Sequence, residues 1–318
     1  MFYNNKVVLV TGGTGFIGAH IVEELLKQGA KVRIPVHKRP MPVENKNIEV
    51  VDANLADKRD CMVAAEGVDY VFHAAGYVGA AGVTSGQVIL ESIAGNFMLL
   101  SNMLGAAWEK GVERFLLFSS STVYPDFRHP VKEEEAWADA VHPSYFGYGW
   151  SKRYIERFAE FVASKSDMKI SIVRPTAVYG RLDNFDLKSC HVIPALIRKA
   201  IERQDPYEVW GSGEEVRDFV HVGDLARGSL LMLEKYAKAD PVNIGYGKSA
   251  TIKEVVEIIL KAADYKDASL IFDTSKPSTI PFRAVDTSKA KRVLGFEPIV
   301  SLEEGLRDTV KWYKERAI

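Results

Sequence analysis

Val7-Val8-Leu9-Val10-Thr11-Gly12-Gly13-Thr14-Gly15-Phe16-Ile17-Gly18 decides the fold. The apolar run at residues 6–10 is of the kind a parallel sheet buries on both faces. Glycines follow at once, and Ile17, Ile21, Val22 and Leu25 then recur at helical spacing up to Gly29, a natural C-terminal stop. Strand, glycine turn and helix in this order form the context of a dinucleotide-binding fingerprint. Gly12 permits the tight turn, Gly15 lets the backbone approach a pyrophosphate, and Gly18 lets helix and strand pack closely. The pyrophosphate is then expected at the helix N-terminus, beside Phe16 and Ile17, where free N–H groups point at it.

The alternation continues downstream. Strands are expected at 31–36, 48–52, 70–73, 114–119 and 169–174, with helices near 58–66, 94–110 and 149–165 between them, which makes an α/β fold with a doubly wound parallel sheet of the Rossmann type. After Arg174-Pro175 the pattern changes to a helix at 192–203, short strands near Val209 and at 216–220, and helices near 224–237, 251–263 and 301–315. The expected organisation is a dinucleotide-binding domain at 1–175, to which 220–246 returns, and a smaller C-terminal α/β substrate domain made of 176–219 and 247–318. Ligands belong in the crevice between them, at the carboxyl ends of the parallel strands.

Composition narrows the function classes. A chain of 318 residues with 47% hydrophobic and 26% charged content can bury a sizeable core. A net charge of −1 argues against a general affinity for nucleic acid. No apolar run approaches a membrane span, and residues 1–5 lead into the first strand with no secretory segment. Cys61 and Cys190 are too few for a disulfide framework and lack the spacing of metal ligands, so no metal is expected and a reducing cytoplasm fits best.

Two further stretches carry chemistry. Tyr148 and Lys152 stand one helical turn apart, so a phenol and an ammonium project from the same face and the cation favours phenolate. That pair suits proton exchange with an alcohol or ketone. About twenty residues after the glycines, where an NAD site usually offers an acid to the ribose, the chain reads His37-Lys38-Arg39. The basic run points to NADP, with Arg39 leading and Lys38 or His37 assisting; NAD is the alternative.

Gly12-x-x-Gly15-x-x-Gly18, His73-Ala74-Ala75-Gly76, Ser119-Ser120-Ser121-Thr122-Val123-Tyr124 and Tyr148-x-x-x-Lys152 resemble the extended short-chain dehydrogenase/reductases, which act mostly on nucleotide sugars. More specifically, Asp183-Asn184-Phe185, the run from His191 to Leu196, Val209-Trp210-Gly211-Ser212-Gly213, the run from Arg217 to Val222, and Phe272-Asp273-x-Ser275-Lys276-Pro277 resemble the GDP-L-fucose synthases. Those enzymes epimerise a GDP-4-keto-6-deoxymannose at C3 and C5 and reduce C4 with NADPH. The resemblance implies Ser120, Tyr148 and Lys152 as catalytic residues, His191 as the epimerisation acid, and Thr122 in the place of the epimerisation base. It implies cofactor contacts from the glycine turn, His37 to Arg39, Asn54, Leu55, Ala74, Ala75, Tyr148 and Lys152. Substrate contacts are implied for Ser121, Thr122, His191, Val192, Trp210, Arg217 and Arg283, the arginines suiting diphosphate oxygens.

Two positions depart from the pattern. The synthases carry a cysteine where this chain has Thr122, and a threonine hydroxyl is a very poor base beside a thiolate. Ala177 replaces an asparagine whose amide could hydrogen-bond the substrate. The chemistry could therefore stop at C4, as net reduction by NADPH or as a UDP-glucose 4-epimerase-like reaction with a retained NAD(P). A GDP-sugar is expected over a UDP-sugar on the resemblance alone. A catalytically silent sensor of NADPH is a further alternative, though such proteins commonly lose the tyrosine or lysine kept here. The resemblance also implies a homodimer through the helices near 94–110 and 149–165, although Phe97, Leu100, Leu104 and Trp108 could equally be core.

Overall fold

The computed structural model describes residues 1–37, 45–77, 86–276 and 280–317. Its centre is a seven-stranded sheet in the order β10-β6-β5-β4-β1-β2-β3. The strands are β1 (Val7–Thr11), β2 (Lys31–Val36), β3 (Ile48–Asp52), β4 (Tyr70–His73), β5 (Arg114–Phe118), β6 (Lys169–Pro175) and β10 (Val242–Ile244). Every neighbouring pair runs parallel. The sequence order reverses between β1 and β4, so a crevice opens beyond their carboxyl ends.

Helices cover both faces. On one, α1 (Phe16–Lys27), α6 (Val222–Lys235) and α8 (Ser288–Leu294) enclose Val8, Val10, Phe72 and Leu116. On the other, α2 (Lys58–Ala64), α3 (Gly86–Glu109) and α4 (Phe146–Lys165) enclose Leu9, Val71, Phe115 and Leu117. Alternate residues of β1 and β5 thus serve opposite cores, which is why these strands read as continuous apolar runs. The α3 helix starts well before the expected 94, and Gly95 sits within it because a Cβ there would meet the Tyr77 ring at 2.6 Å.

The C-terminal layers are built on β9 (Val216–His221), which pairs in parallel with β7 (Ala177–Tyr179) and β13 (Phe282–Arg283) and antiparallel with β11 (Ser249–Thr251). A separate parallel pair joins β8 (Tyr207–Trp210) to β12 (Leu270–Asp273). Around them α5 (Val192–Ile201), α7 (Ile252–Ala262) and α9 (Leu302–Ala317) bury Ile197, Val209, Val256, Ile259 and Leu306. Buried Asp218 on β9 ties these layers to the large sheet by accepting the Tyr246 and Gly247 N–H groups at 2.8 and 3.0 Å and the Thr176 hydroxyl at 3.3 Å. No helix among the described residues is long and apolar enough to cross a membrane.

Candidate active site

The glycine turn is shaped for close approach. Gly12 has φ of +68°, and a Cβ on it would stand 2.8 Å from the Ala74 carbonyl and the Ala75 nitrogen, so the turn after β1 lies directly on the turn after β4. A Cβ on Gly18 would stand 2.1 Å from Gly12 O. Gly15 caps α1 with no side-chain bond, and the first turn holds no acid, so its N–H groups are left for an anion. This cradle fits a dinucleotide diphosphate. Gly18→Ala is expected to force helix and turn apart, weaken cofactor binding by at least tenfold and cost about 1–3 kcal/mol of stability as an overpacking change; cofactor titration and a urea melt measure both.

Below the turn, Thr11 links the two strands. Its hydroxyl accepts the Ala75 N–H at 3.1 Å and lies 3.0 Å from His73 Nδ1. Burial, helped by the nearby Lys152 cation, lowers the His73 pKa to about 3, so this imidazole is neutral. Asn54 and Leu55 follow β3: Asn54 N–H donates to Asp60 at 2.8 Å, and the Leu55 carbonyl accepts from Asn102 at 3.1 Å.

The catalytic candidates gather at the carboxyl end of β5. Ser120 caps a 3₁₀ turn at Ser121–Val123, its hydroxyl accepting the Thr122 N–H at 3.1 Å. The α4 helix meets this turn through Gly149, where a Cβ would stand 2.4 Å from Thr122 O. Tyr148 lies in the first turn of α4. Lys152, one turn on, donates to Phe118 O at 2.8 Å, with its Nζ 5.4 Å from the Tyr148 ring centroid. The Thr122 hydroxyl is buried without a hydrogen-bond partner among the described residues.

A buried ionic network stands behind this turn. Ser119 donates to Glu156, which accepts from Arg174 Nε at 2.8 Å and Nη2 at 2.7 Å. Arg174 Nη1 reaches Tyr124 OH at 3.1 Å and Glu133 O at 2.8 Å, and Tyr124 donates to Asn243 at 2.5 Å. The sequence reading missed Glu156, although its spacing of i+4 from Lys152 on the Tyr148–Lys152 face is a signal that could have found it. Its partner Arg174 lies on β6 and carries no local signal.

Across the crevice, Arg217 and Arg283 are register partners on β9 and β13. Arg283 donates to Ser121 O and stacks over the Tyr145 ring, with Cζ 4.7 Å from the centroid. Burial, reinforced by Arg217, lowers the Arg283 pKa to about 10, and burial lowers that of Arg217. Two partly dehydrated cations side by side favour an anion between or above them. His191 flanks the start of α5; solvent reaches it, yet surrounding protein lowers its imidazole pKa by desolvation, which is the position of a cleft wall. Val192 beside it and Trp210 at the end of β8 are 38% and 50% exposed, so Trp210 is not a core tryptophan.

His191, Val192 and Trp210 stand on other elements than the Ser120–Tyr148 group. His37 is exposed at the end of β2, while Lys38, Arg39 and Pro277 lie outside the described residues. Asp183 was quoted within a motif but given no role from the sequence: burial raises its carboxyl pKa to about 7, and its Oδ2 has no partner among the described residues. No cluster of three His, Cys, Asp or Glu side chains among the described residues could hold a metal.

Comparisons with known proteins agree with this geometry. A family model described as the NAD dependent epimerase/dehydratase family matches residues 8–245. The chain is 30% identical to a GDP-L-fucose synthase from Escherichia coli over 97% of its own length and 96% of that protein. It is 31% identical to a dTDP-4-dehydro-6-deoxy-D-allose reductase from a Streptomyces species, covering 97% of this chain and 96% of that one. Among solved structures, UDP-glucose 4-epimerase from Thermotoga maritima superposes with a TM-score of 0.87 at 27% identity, covering 98% and 100% of the two chains. With a family match across both the glycine turn and the Ser120–Lys152 constellation, this chain belongs to the NAD-dependent epimerase/dehydratase family of extended short-chain dehydrogenase/reductases.

Proposed function

We propose that the protein is an NADP(H)-dependent enzyme acting at C4 of a nucleotide sugar, reducing a GDP-4-keto-6-deoxy sugar without epimerising C3 or C5. The observation that supports this is the packing of α4, which bears Tyr148 and Lys152, on the 3₁₀ turn that Ser120 caps, with Gly149 against Thr122 O, Lys152 bonded to Phe118 O and Arg283 bonded to the same turn through Ser121 O. Bound NADPH supplies the hydride to C4. The Ser120 hydroxyl hydrogen-bonds the C4 oxygen, and the Tyr148 phenol gives that oxygen its proton, leaving a secondary alcohol and a phenolate. Lys152, anchored on Phe118 O, stabilises the phenolate by charge until solvent returns the proton. Arg217 and Arg283 hold the diphosphate. NADP over NAD rests on His37, Lys38 and Arg39.

Thr122 argues against the second reaction, since neither a thiol nor a carboxylate occupies the base's position. The same substitution supports a redox-neutral 4-epimerase as the second reading. A homodimer through α3 and α4 belongs to the proposal: Leu100 and Leu104 face the core, but Met98, Trp108, Tyr154 and Phe161 are exposed, and a groove of about 570 Å³ runs between Trp108, Phe158 and Phe161. A cytoplasmic location accords with two free cysteines.

The test incubates the pure protein with NADPH and GDP-4-keto-6-deoxymannose in deuterated water, and separately with UDP-galactose and UDP-glucose. Cofactor consumption without deuterium at C3 or C5 is expected. Deuterium at those carbons restores the full synthase reaction, and interconversion of the UDP-sugars without consumption makes the enzyme an epimerase. Inertness towards every sugar overturns the proposal, and tighter binding of NADH than NADPH overturns its cofactor.

A further inference from the structure

The outer face of β8 carries a feature that the chemistry at C4 does not use. Tyr207 and Val209 point inward and are 0% and 1% exposed, so Glu208 and Trp210 share the opposite face. Trp210 keeps half its surface in solvent, and its indole N–H donates to Glu208 Oε1 at 2.8 Å. That bond fixes the ring and holds a carboxylate at its rim. The second carboxylate oxygen of Glu208 has no hydrogen-bond partner among the described residues. Lys276 Nζ lies 6.0 Å from the indole centroid. Immediately after Trp210, the turn at Gly211 and Gly213 is closed by the Glu215 carboxylate, which accepts the Ser212 and Gly213 N–H groups at 3.0 Å each, and the chain then enters β9 and Arg217. A flat aromatic surface with an acceptor at its edge therefore sits one tight turn from the arginine pair.

Nucleobases differ in what they offer such an edge. Guanine presents two adjacent donors, N1–H and the exocyclic amine, to which a carboxylate accepts with both oxygens. Uracil and thymine present one N–H flanked by two carbonyl oxygens, which a carboxylate repels. Adenine and cytosine place a ring acceptor beside their amine. We propose that Glu208 selects the base of the substrate, accepting from the Watson–Crick edge of a guanine stacked on Trp210, and so makes the substrate a GDP-sugar. This inference rests on the nucleotide-sugar reading of the site and sharpens it, because the preference for GDP then has a physical cause in this chain.

The experiment is isothermal titration of the full-length protein, wild type and Glu208→Gln, with GDP and with UDP. The wild type is expected to bind GDP at least tenfold more tightly than UDP. Glu208→Gln keeps an oxygen for the Trp210 tether but replaces one acceptor with a donor, and is expected to weaken GDP binding roughly 10- to 100-fold while UDP, no longer facing a carboxylate, binds at least as tightly as to the wild type. Circular dichroism and a thermal melt verify that the substitution at partly buried Glu208 leaves the fold intact. Equal binding of GDP and UDP by the wild type, or an unchanged preference in Glu208→Gln, overturns the role of Glu208 and leaves the nucleotide-sugar reading standing. Binding of neither nucleotide by the wild type overturns that reading, and the inference with it.

Discussion

Tyr148→Phe is expected to lower turnover by roughly 10²–10⁴-fold while cofactor affinity stays within twofold. Phenylalanine preserves the ring and its packing in the first turn of α4, so what disappears is the hydroxyl that the proposed mechanism assigns to protonating the C4 oxygen. The hydride cannot leave a stable alkoxide at C4 without that proton, so the step loses its acid and not its binding. Lys152 retains its bond to Phe118 O and its place beside the ring. Following NADPH absorbance at saturating sugar gives the turnover, and fluorescence titration gives the cofactor affinity. Turnover within tenfold of the wild type removes Tyr148 from the mechanism. A parallel loss of cofactor binding assigns the hydroxyl to holding the nucleotide instead.

Arg174→Met is expected to be the most destabilising single change in the chain, at about 3–5 kcal/mol. Arg174 and Glu156 are only 2% and 1% exposed, and their pairing at 2.7 Å is what keeps the Glu156 carboxylate tolerable in the interior. Burial opposes the Arg174 charge, but Tyr124 and Glu156 outweigh it and raise its pKa. Removing the guanidinium strands a carboxylate and releases Tyr124 OH and Glu133 O from their donor. Adding Glu156→Gln to Arg174→Met removes the stranded charge, so the double variant is expected to be more stable than Arg174→Met alone, with a coupling energy of about 1–3 kcal/mol. Urea denaturation of the two single variants and the double variant measures the cycle. Additive losses would show that the two groups do not act as a unit. Because Ser119 also donates to Glu156, the Ser120 turn is expected to loosen in the same variants, and the turnover of Arg174→Met to fall along with its stability.

Much of the large sheet was legible because its signals are local. The runs at β1, β4 and β5 announced strands buried on both faces, and the glycines after β1 announced a turn whose φ and clearances exclude a Cβ. The short strands were not legible: β7, β10, β11 and β13 have two or three residues each, too few to show any period, and exist only because a neighbouring strand supplies their partners. The α8 helix was missed for a related reason, since only Ala290 and Leu294 of its seven residues are fully buried, with Val293 packed beside them.

The site divides in the same way. Gly12, Gly15, Gly18, Tyr148 and Lys152 could be named from the chain because each group acts through neighbours a few residues away, in one turn or on one helix face. The approach of Arg283 to Ser121 spans 162 residues, Arg217 meets Arg283 only through strand register, and the Ser119–Glu156–Arg174 bridge joins a loop, a helix and a strand. Glu208 became informative only when strand alternation placed it beside a solvent-facing indole. The sequence by itself determined the dinucleotide turn and the phenol–ammonium pair, since local sterics and helical spacing suffice for both. Only the tertiary structure decided which distant cations, acids and aromatic surfaces face them, because those meetings depend on the path of the whole chain and leave no period in it.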